Sequence, residues 1–460
     1  MKKAILIFLI PIFIVSMTLL GIGCKADAVE EEAVEEEAVE EEAVEEEAVE
    51  EEEAVEEEVK EPVTLSWLTP MISAEGSIMD WTLMVVDEFE KANPHITLDL
   101  TVANWVDYYD QVELLIAGGN APDIGIVPSD YLAKFIAAGV LLPLDDYIDV
   151  AAATEGFNTL QTEVIPSMSP EGKTHAIITW QNWFLLWYRP SVLKAAGWDE
   201  FPATMDDFEQ MLADLSTGET YGYTASLAPG IWNEGRYELI DWLYALGGDY
   251  YKDGKATLNS PEVIEAVTLL KKWYDAGYIP KETNMSDKRK IFATGGAGVM
   301  VGNPNEFGIA LSLNPDMDKE DMVSINFPTA NPSVSAIIQG MFGTIDTKYP
   351  QEVAEFIAFF HQDKYQAAGV KDVGFMIAKS ALLGDPEFAN EVIANTPSSK
   401  GFLDTAGITK LMTPAEMLTV ENSQEIIVTW WKFTEKVLYE SMDPTEAMNA
   451  AQAEAEALLE

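Results

Sequence analysis

The sequence predicts an α/β protein of two lobes with a mainly helical C-terminal region. Three observations carry that expectation. Strand-like and helix-like segments alternate from Val63 to Ala138, which predicts a mostly parallel sheet with helices on both faces. The 399 residues beyond an acidic tail exceed one ordinary domain. From about Thr413 onward the pattern reads as helical. With 48% hydrophobic residues and 10% aromatics, the body can bury a large core.

The elements can be justified in order. Lys2 and Lys3 precede an apolar run from Ala4 to Leu20, the charged and hydrophobic regions of a secretory signal. An uncleaved membrane anchor is the alternative, because the run approaches a spanning length. The adjoining Leu19-Leu20-Gly21-Ile22-Gly23-Cys24 resembles a bacterial lipobox, in which a peptidase cuts before a cysteine that carries lipid. Gly21 stands where that motif most often has Leu. Cys24 is the single cysteine of the chain, so disulfides, cysteine-type zinc sites and cysteine nucleophiles in the folded part are excluded.

From Val29 to Val59 the block Glu-Glu-Glu-Ala-Val repeats. A five-residue step turns about 140° round a helix, so these valines form no apolar stripe. Residues 25–61 hold 21 acids against two lysines, a like-charge block expected to act as a solvated spacer. The whole chain has a net charge of −52, of which −35 belongs to residues 62–460. Such a balance argues against a nucleic-acid partner, whose phosphates require lysine and arginine in excess.

In the body, Val63 to Leu68 is rich in strand formers, and Ile78 to Asn93 comes next at helical spacing. Ile96, Leu98, Leu100 and Val102 alternate along a half-buried strand. A helix from Trp105 to Ile116 stops at Gly118-Gly119, Ile124 to Val127 forms a short buried strand, and a helix from Tyr131 to Ala138 stops at Gly139. Thr204 caps one later helix, and Ser260-Pro261 opens another with Pro at its first position.

The ordered motifs resemble the family 1 extracellular solute-binding proteins, the sugar-capturing receptors of bacterial ABC importers. They run through Ile116-Ala117-Gly118-Gly119-Asn120-Ala121-Pro122-Asp123-Ile124, then Ala138-Gly139-Val140-Leu141-Leu142-Pro143-Leu144-Asp145-Asp146. Trp187-Tyr188-Arg189-Pro190 is similar to the family's crossover segment, with Arg189 where Asn is usual. Ala195-Ala196-Gly197-Trp198, Pro202 to Phe208, Gly247-Gly248, Leu258 to Glu262 and Phe292 to Met300 complete the series. The resemblance implies a bilobal periplasmic-binding-protein-like fold whose central cleft closes on ligand by a hinge motion. It implies crossings near Gln181 to Tyr188, near Phe327 to Thr329 and around Gln362 to Gly369. The expected organisation is residues 1–23 signal, 24–61 linker, 62–184 and 329–365 first lobe, and 185–328 and 366–460 second lobe. It implies a non-enzymatic receptor without cofactor or metal, lipid-anchored outside the cytoplasmic membrane through Cys24, monomeric, and docking on ABC permease subunits.

A sugar offers hydroxyls that suit amides, carboxylates and guanidinium groups, and C–H faces that suit flat rings. Within the resemblance, Asp130 stands after a strand at the end where ligand crevices lie, with a helix cap as its alternative role. Asn182 and Trp183 stand at the crossover, either in the cleft or in hinge packing; Trp180, Trp183 and Trp187 could instead form one buried stripe. Trp232 would stack on a ligand and Arg236 fork two hydroxyls, unless they belong to an exposed loop with an Arg–Glu pair. Asn305 replaces the stacking Trp of the family's Gly-Pro-Trp, Gln339 lies on the strand returning to the cleft, and Trp67 ends the first strand. Trp430-Trp431 could cover the cleft or only pack. The rival readings are a secreted glycoside hydrolase, which needs two carboxylates about a scissile bond, a binder of another solute such as a peptide or polyol, and a surface adhesin. A calcium loop at Asn314 to Glu320 lacks the required Gly and reads as an acidic turn.

Overall fold

The computed structural model divides the chain after Val59 and describes residues 60–73, 77–330, 333–374, 377–405, 409–420 and 422–460. The signal, Cys24 and most of the acidic tail therefore lie outside the described residues. Lys60–Glu460 forms the folded body.

The first lobe opens with β1 (Val63–Thr69), α1 (Ser77–Ala92), β2 (Ile96–Val102), α2 (Trp105–Ala117), β3 (Ile124–Pro128) and α3 (Ser129–Ala137). β1 and β2 are parallel, with Val63 opposite Ile96 and Thr69 opposite Val102, and β3 pairs in parallel with β1 where Trp67 meets Ile124. β2 is the sheet edge, so Ile96 and Leu98 point to the core while Thr97 and Asp99 face water. On α1, Trp81, Val85 and Phe89 lie one turn apart and form its buried stripe. The Asp123 carboxylate accepts from the Ser66 amide and hydroxyl, each at 2.7 Å, and ties the entry of β3 to β1. α2 ends as Gly118-Gly119 indicated, with Gly119 at φ +68°, a conformation that favours a residue without Cβ.

The sheet is mixed rather than mostly parallel. Its order is β12-β11-β3-β1-β2, with β4 (Ala176–Trp183) on the other edge of β11 (Val334–Gly343). β11 is antiparallel to both β3 and β4 and parallel to the short β12 (Thr409–Leu411). The expectation extrapolated the local β-α-β rhythm. β11 instead arrives from the second lobe and enters from the opposite end, which no local pattern reveals.

β4 ends at Trp183 and β5 (Leu185–Tyr188) starts a second sheet, with Phe184 alone between them. That sheet has the order β10-β5-β9-β6, built from β6 (Tyr221–Thr224), β9 (Ala297–Gly302) and β10 (Val323–Ile325); a separate hairpin joins β7 (Tyr251–Lys252) to β8 (Lys255–Ala256). Around it lie α4 (Met205–Leu215), α5 (Trp232–Ala245), α6 (Pro261–Asp275), α7 (Met285–Ala293) and α8 (Glu306–Leu313). Thr204 and Ser260 accept from the amides of Asp207 and Val263 as helix caps. Arg189 is buried, pairs with Asp321 at 2.6 Å and donates to the carbonyls of Phe292 and Ala293, an internal brace of this lobe.

The chain returns between Ile325 and Val334 and forms α9 (Pro350–Phe360) on the first lobe. The third passage lies later than Gln362 to Gly369. The Trp81 indole donates to the Tyr365 carbonyl at 2.9 Å, Lys364 pairs with Glu88 at 2.8 Å, and Gln181 donates to the Ile377 carbonyl at 3.1 Å. First-lobe packing therefore extends past residue 365 through Ala378, and β12, Leu411 and Leu418 return to it. The C-terminal region is α10 (Ser423–Glu440) and α11 (Pro444–Leu459), packed on α5 and α6. Trp430 and Trp431 are buried in this packing and do not cover the cleft.

Candidate functional site

β4 and β11 supply the floor of a cavity between the lobes. Their antiparallel register sets Trp180 opposite Gln339 and Asn182 opposite Ile337. Period-two alternation brings Trp180, Asn182 and Phe184 to one face, with Ile337 and Gln339 beside them. α2 adds Trp105 and Tyr109 one turn apart, and the indole of Trp105 meets that of Trp180 edge-on at 6.1 Å. The second lobe closes the other side with Tyr237 of α5, Met285, Lys288 and Arg289 of α7, and the segment from Val301 through α8. The cavity volume is about 790 Å³, in the upper part of the roughly 300–1,000 Å³ range of small-molecule pockets.

Three residues of this wall, Asn182, Asn305 and Gln339, each carry a buried amide oxygen (Oδ1, Oδ1 and Oε1) that accepts no hydrogen bond among the described residues. Gln339 is oriented by its own Nε2, which donates to the Tyr109 hydroxyl at 2.7 Å. Burial raises the Tyr109 pKa, so its hydroxyl keeps a proton to donate. A buried acceptor left unpaired costs about 1–3 kcal/mol, which a hydroxyl donor on a ligand would recover.

The cations of the wall are already neutralised. Lys288 Nζ lies 2.5 Å from Glu238, a fully buried carboxylate that also accepts from the Tyr223 hydroxyl. Arg289 makes a two-pronged bond to Glu306, at 2.9 and 2.7 Å. The cavity thus presents aromatic faces and neutral amide acceptors rather than a free positive charge.

Of the residues singled out in the sequence, Asn182, Asn305 and Gln339 meet on this wall. Trp67 does not, because β1 is an interior strand and its ring is fully buried between Phe356 and Phe360, at 5.6 and 5.8 Å. Trp183 is also withdrawn: as the neighbour of Asn182 on a strand it faces the other way, into a core with Leu185 and Trp187. Asp130 is no helix cap, since α3 starts at Ser129 after Pro128; it lies in the first turn and faces Arg236 at 4.0 Å. Arg236 is stacked over the rings of Trp232 and Tyr237 at 5.3 and 5.5 Å, so Trp232 holds this guanidinium and is not on the cavity wall.

Sequence reasoning missed Trp105, Tyr109, Phe184, Tyr237, Lys288 and Arg289, and treated Trp180 only as part of a buried stripe. Alternation from Asn182 would have found Trp180 and Phe184, and the one-turn spacing of Trp105 and Tyr109 was also readable. No local signal marks the α7 residues.

Two α/β lobes meeting over an aromatic, amide-lined cavity define a bilobal ligand-capturing receptor. Residues 84–396 match the profile of the bacterial extracellular solute-binding proteins, and the chain belongs to that family. It is similar to the diacetylchitobiose binding protein DasA of Streptomyces coelicolor, with 24% identity over 68% of this chain and 74% of that one. In fold it resembles the cyclic alpha-maltosyl-1,6-maltose binding protein of Arthrobacter globiformis, with 17% identity, a TM-score of 0.72, and coverage of 86% of this chain and 99% of that one. It resembles equally UgpB of Mycobacterium tuberculosis in complex with glycerophosphocholine, with 19% identity, a TM-score of 0.71, and coverage of 87% and 98%. The shared architecture accommodates chemically different ligands, so the wall must specify this one.

Proposed function

We propose that the protein captures a neutral sugar or oligosaccharide in the interlobe cavity and presents it, lobes closed, to the permease subunits of an ABC importer. The observation that carries this reading is the set of three unpartnered amide oxygens at Asn182, Asn305 and Gln339 among aromatic rings. Sugar hydroxyls satisfy the amides and sugar C–H faces lie on Trp105, Trp180 or Tyr237. The pairing of Lys288 with Glu238 and of Arg289 with Glu306 argues for a neutral ligand over a phosphorylated one. A ligand that touches β4 and β11 on one side and α7 and α8 on the other stabilises the closed arrangement through contacts with both lobes.

Binding without turnover is part of the proposal. Glu306 is the one carboxylate among the described residues of the wall, and Arg289 holds it, whereas glycoside hydrolysis uses two. The motif ending at Cys24 supports a lipid anchor that holds the receptor, as a monomer, at the outer face of a membrane.

The test is a thermal-shift screen of the purified chain against mono- to tetrasaccharides, polyols, glycerophosphodiesters, amino acids and oligopeptides, with calorimetry on each hit. Ligand at a hundred times its dissociation constant adds about 2.7 kcal/mol to stability. Stabilisation by saccharides without hydrolysis supports the reading. Stabilisation by peptides or glycerophosphodiesters alone overturns the sugar assignment.

A further inference from the structure

We infer that Gly308 sets the length of the saccharide the cavity admits, its missing side chain leaving room for a sugar ring against helix α8. This deepens the receptor reading and rests on it.

Two glycines of the second lobe reach the cavity, and the fold explains only one. At Gly302, an added Cβ would fall 2.5 Å from Glu306 Cγ and 3.1 Å from Trp187 Cδ1, so packing alone excludes a side chain. At Gly308, in the first turn of the eight-residue helix α8, an added Cβ would meet nothing within 4 Å. Its φ is not in the left-handed region either, so neither space nor backbone geometry requires glycine. Glycine in a helix raises the entropy lost on folding, and alanine at a compatible position is the more stable choice. Gly308 is exposed and lines the cavity, so the open space beside it adjoins the cavity mouth.

The face around it agrees. Asn305, Gly308, Ile309 and Ser312 recur at three- and four-residue spacing and turn one side of α8 to the cavity. Asn305 brings an unpartnered amide oxygen to one end of this flat strip. Gln339, only 7% exposed, offers another unpartnered oxygen from the first lobe in the same cavity. A sugar ring laid on the backbone at Gly308 would place C–H groups on the helix and hydroxyls towards these amides. A side chain at position 308 would occupy that space and remove one ring's seat while leaving the β4–β11 floor intact.

The experiment measures binding of a monosaccharide-to-tetrasaccharide series to the full chain, to Gly308→Ala and to Gly308→Leu, with melting curves of each. Gly308→Ala should melt about 1–2 °C higher, since glycine-to-alanine replacement at an unstrained position stabilises. Gly308→Leu should bind the longest ligand of the wild type at least about tenfold more weakly and the shortest within about threefold, as expected when a single contact region is blocked. Should Gly308→Leu not fold, Gly308→Ala decides the matter by a loss of about two- to fivefold confined to the longest ligand. Equal affinity loss at every length, or no loss in a folded variant, overturns the inference while leaving the receptor reading intact. A wild-type chain that binds no saccharide overturns both.

Discussion

Asp130, in the first turn of α3, and Arg236, on α5, face each other at 4.0 Å from opposite lobes. Their side chains are 19% and 14% exposed, so water screens the pair only in part. The rings of Trp232 and Tyr237 hold the guanidinium, and Tyr237 is also a wall residue. The contact therefore links the approach of the lobes to the position of a ring in the cavity.

Replacing Arg236 by Gln removes the cation but keeps much of the side chain. Sugar affinity should fall by about 0.5–1 kcal/mol at low salt, and the difference from wild type should shrink at high salt. Calorimetry at two ionic strengths measures this. An affinity loss that ignores salt would mean that Arg236 acts through packing against Trp232 and not through Asp130.

Asn182 carries a buried acceptor with no hydrogen-bond partner among the described residues. Asn182→Leu should raise the melting temperature without ligand and weaken sugar binding by about 1–3 kcal/mol, the cost of an unmatched hydroxyl partner. Melting curves with and without ligand read both effects. A variant that loses stability and keeps its affinity would place the Asn182 amide outside the ligand contacts.

His361 is fully buried in the first lobe, with Nε2 3.1 Å from the Thr179 hydroxyl and Nδ1 2.6 Å from the Ile357 carbonyl. Burial lowers its pKa from 6.5 to about 4. The unfolded chain then binds a proton between these values that the folded chain refuses. Stability is complete above pH 6.5 and declines as pH falls, by about 3 kcal/mol at pH 4. His361→Gln should remove this part of the acid slope, so the wild type and the variant should converge in stability between pH 7 and pH 4.5. Parallel melting profiles for the two proteins across that interval would count against His361 as the titrating group.

Read as anchor and spacer, Cys24 and the acidic block should be separable from ligand capture. Cys24→Ser should move the protein from the membrane to the soluble fraction, and deleting residues 25–61 should leave the sugar dissociation constant unchanged, as expected of a like-charge spacer. Fractionation and calorimetry test the two claims separately. A large affinity loss on deletion would make the tail part of the binding site.

Legibility varied with the range of the interaction. The strand–helix alternation through Ala138, the glycine stops, and the caps at Thr204 and Ser260 depend on neighbours in sequence and could be read directly. The direction of β11 could not, because it depends on where the chain re-enters the sheet after building a second lobe. Within the site, motif position reached Asn182, Asn305 and Gln339. Trp67 and Trp183 show the limit of the same approach, since a tryptophan at the right sequence position can lie on the wrong strand face.

The sequence by itself determined the class of protein: two α/β lobes, an acidic segment behind a lipobox-like motif, and a set of polar candidates for the site. Only the tertiary structure decided which of them share a surface. Strand pairing brings Gln339 beside Trp180, helix packing directs Lys288 and Arg289 onto Glu238 and Glu306, and lobe approach turns Asp130 and Arg236 towards each other. The physical reason is that secondary structure is set by local spacing and backbone preference. A binding wall instead depends on side chains far apart in sequence, and their orientation is fixed only when both lobes are packed.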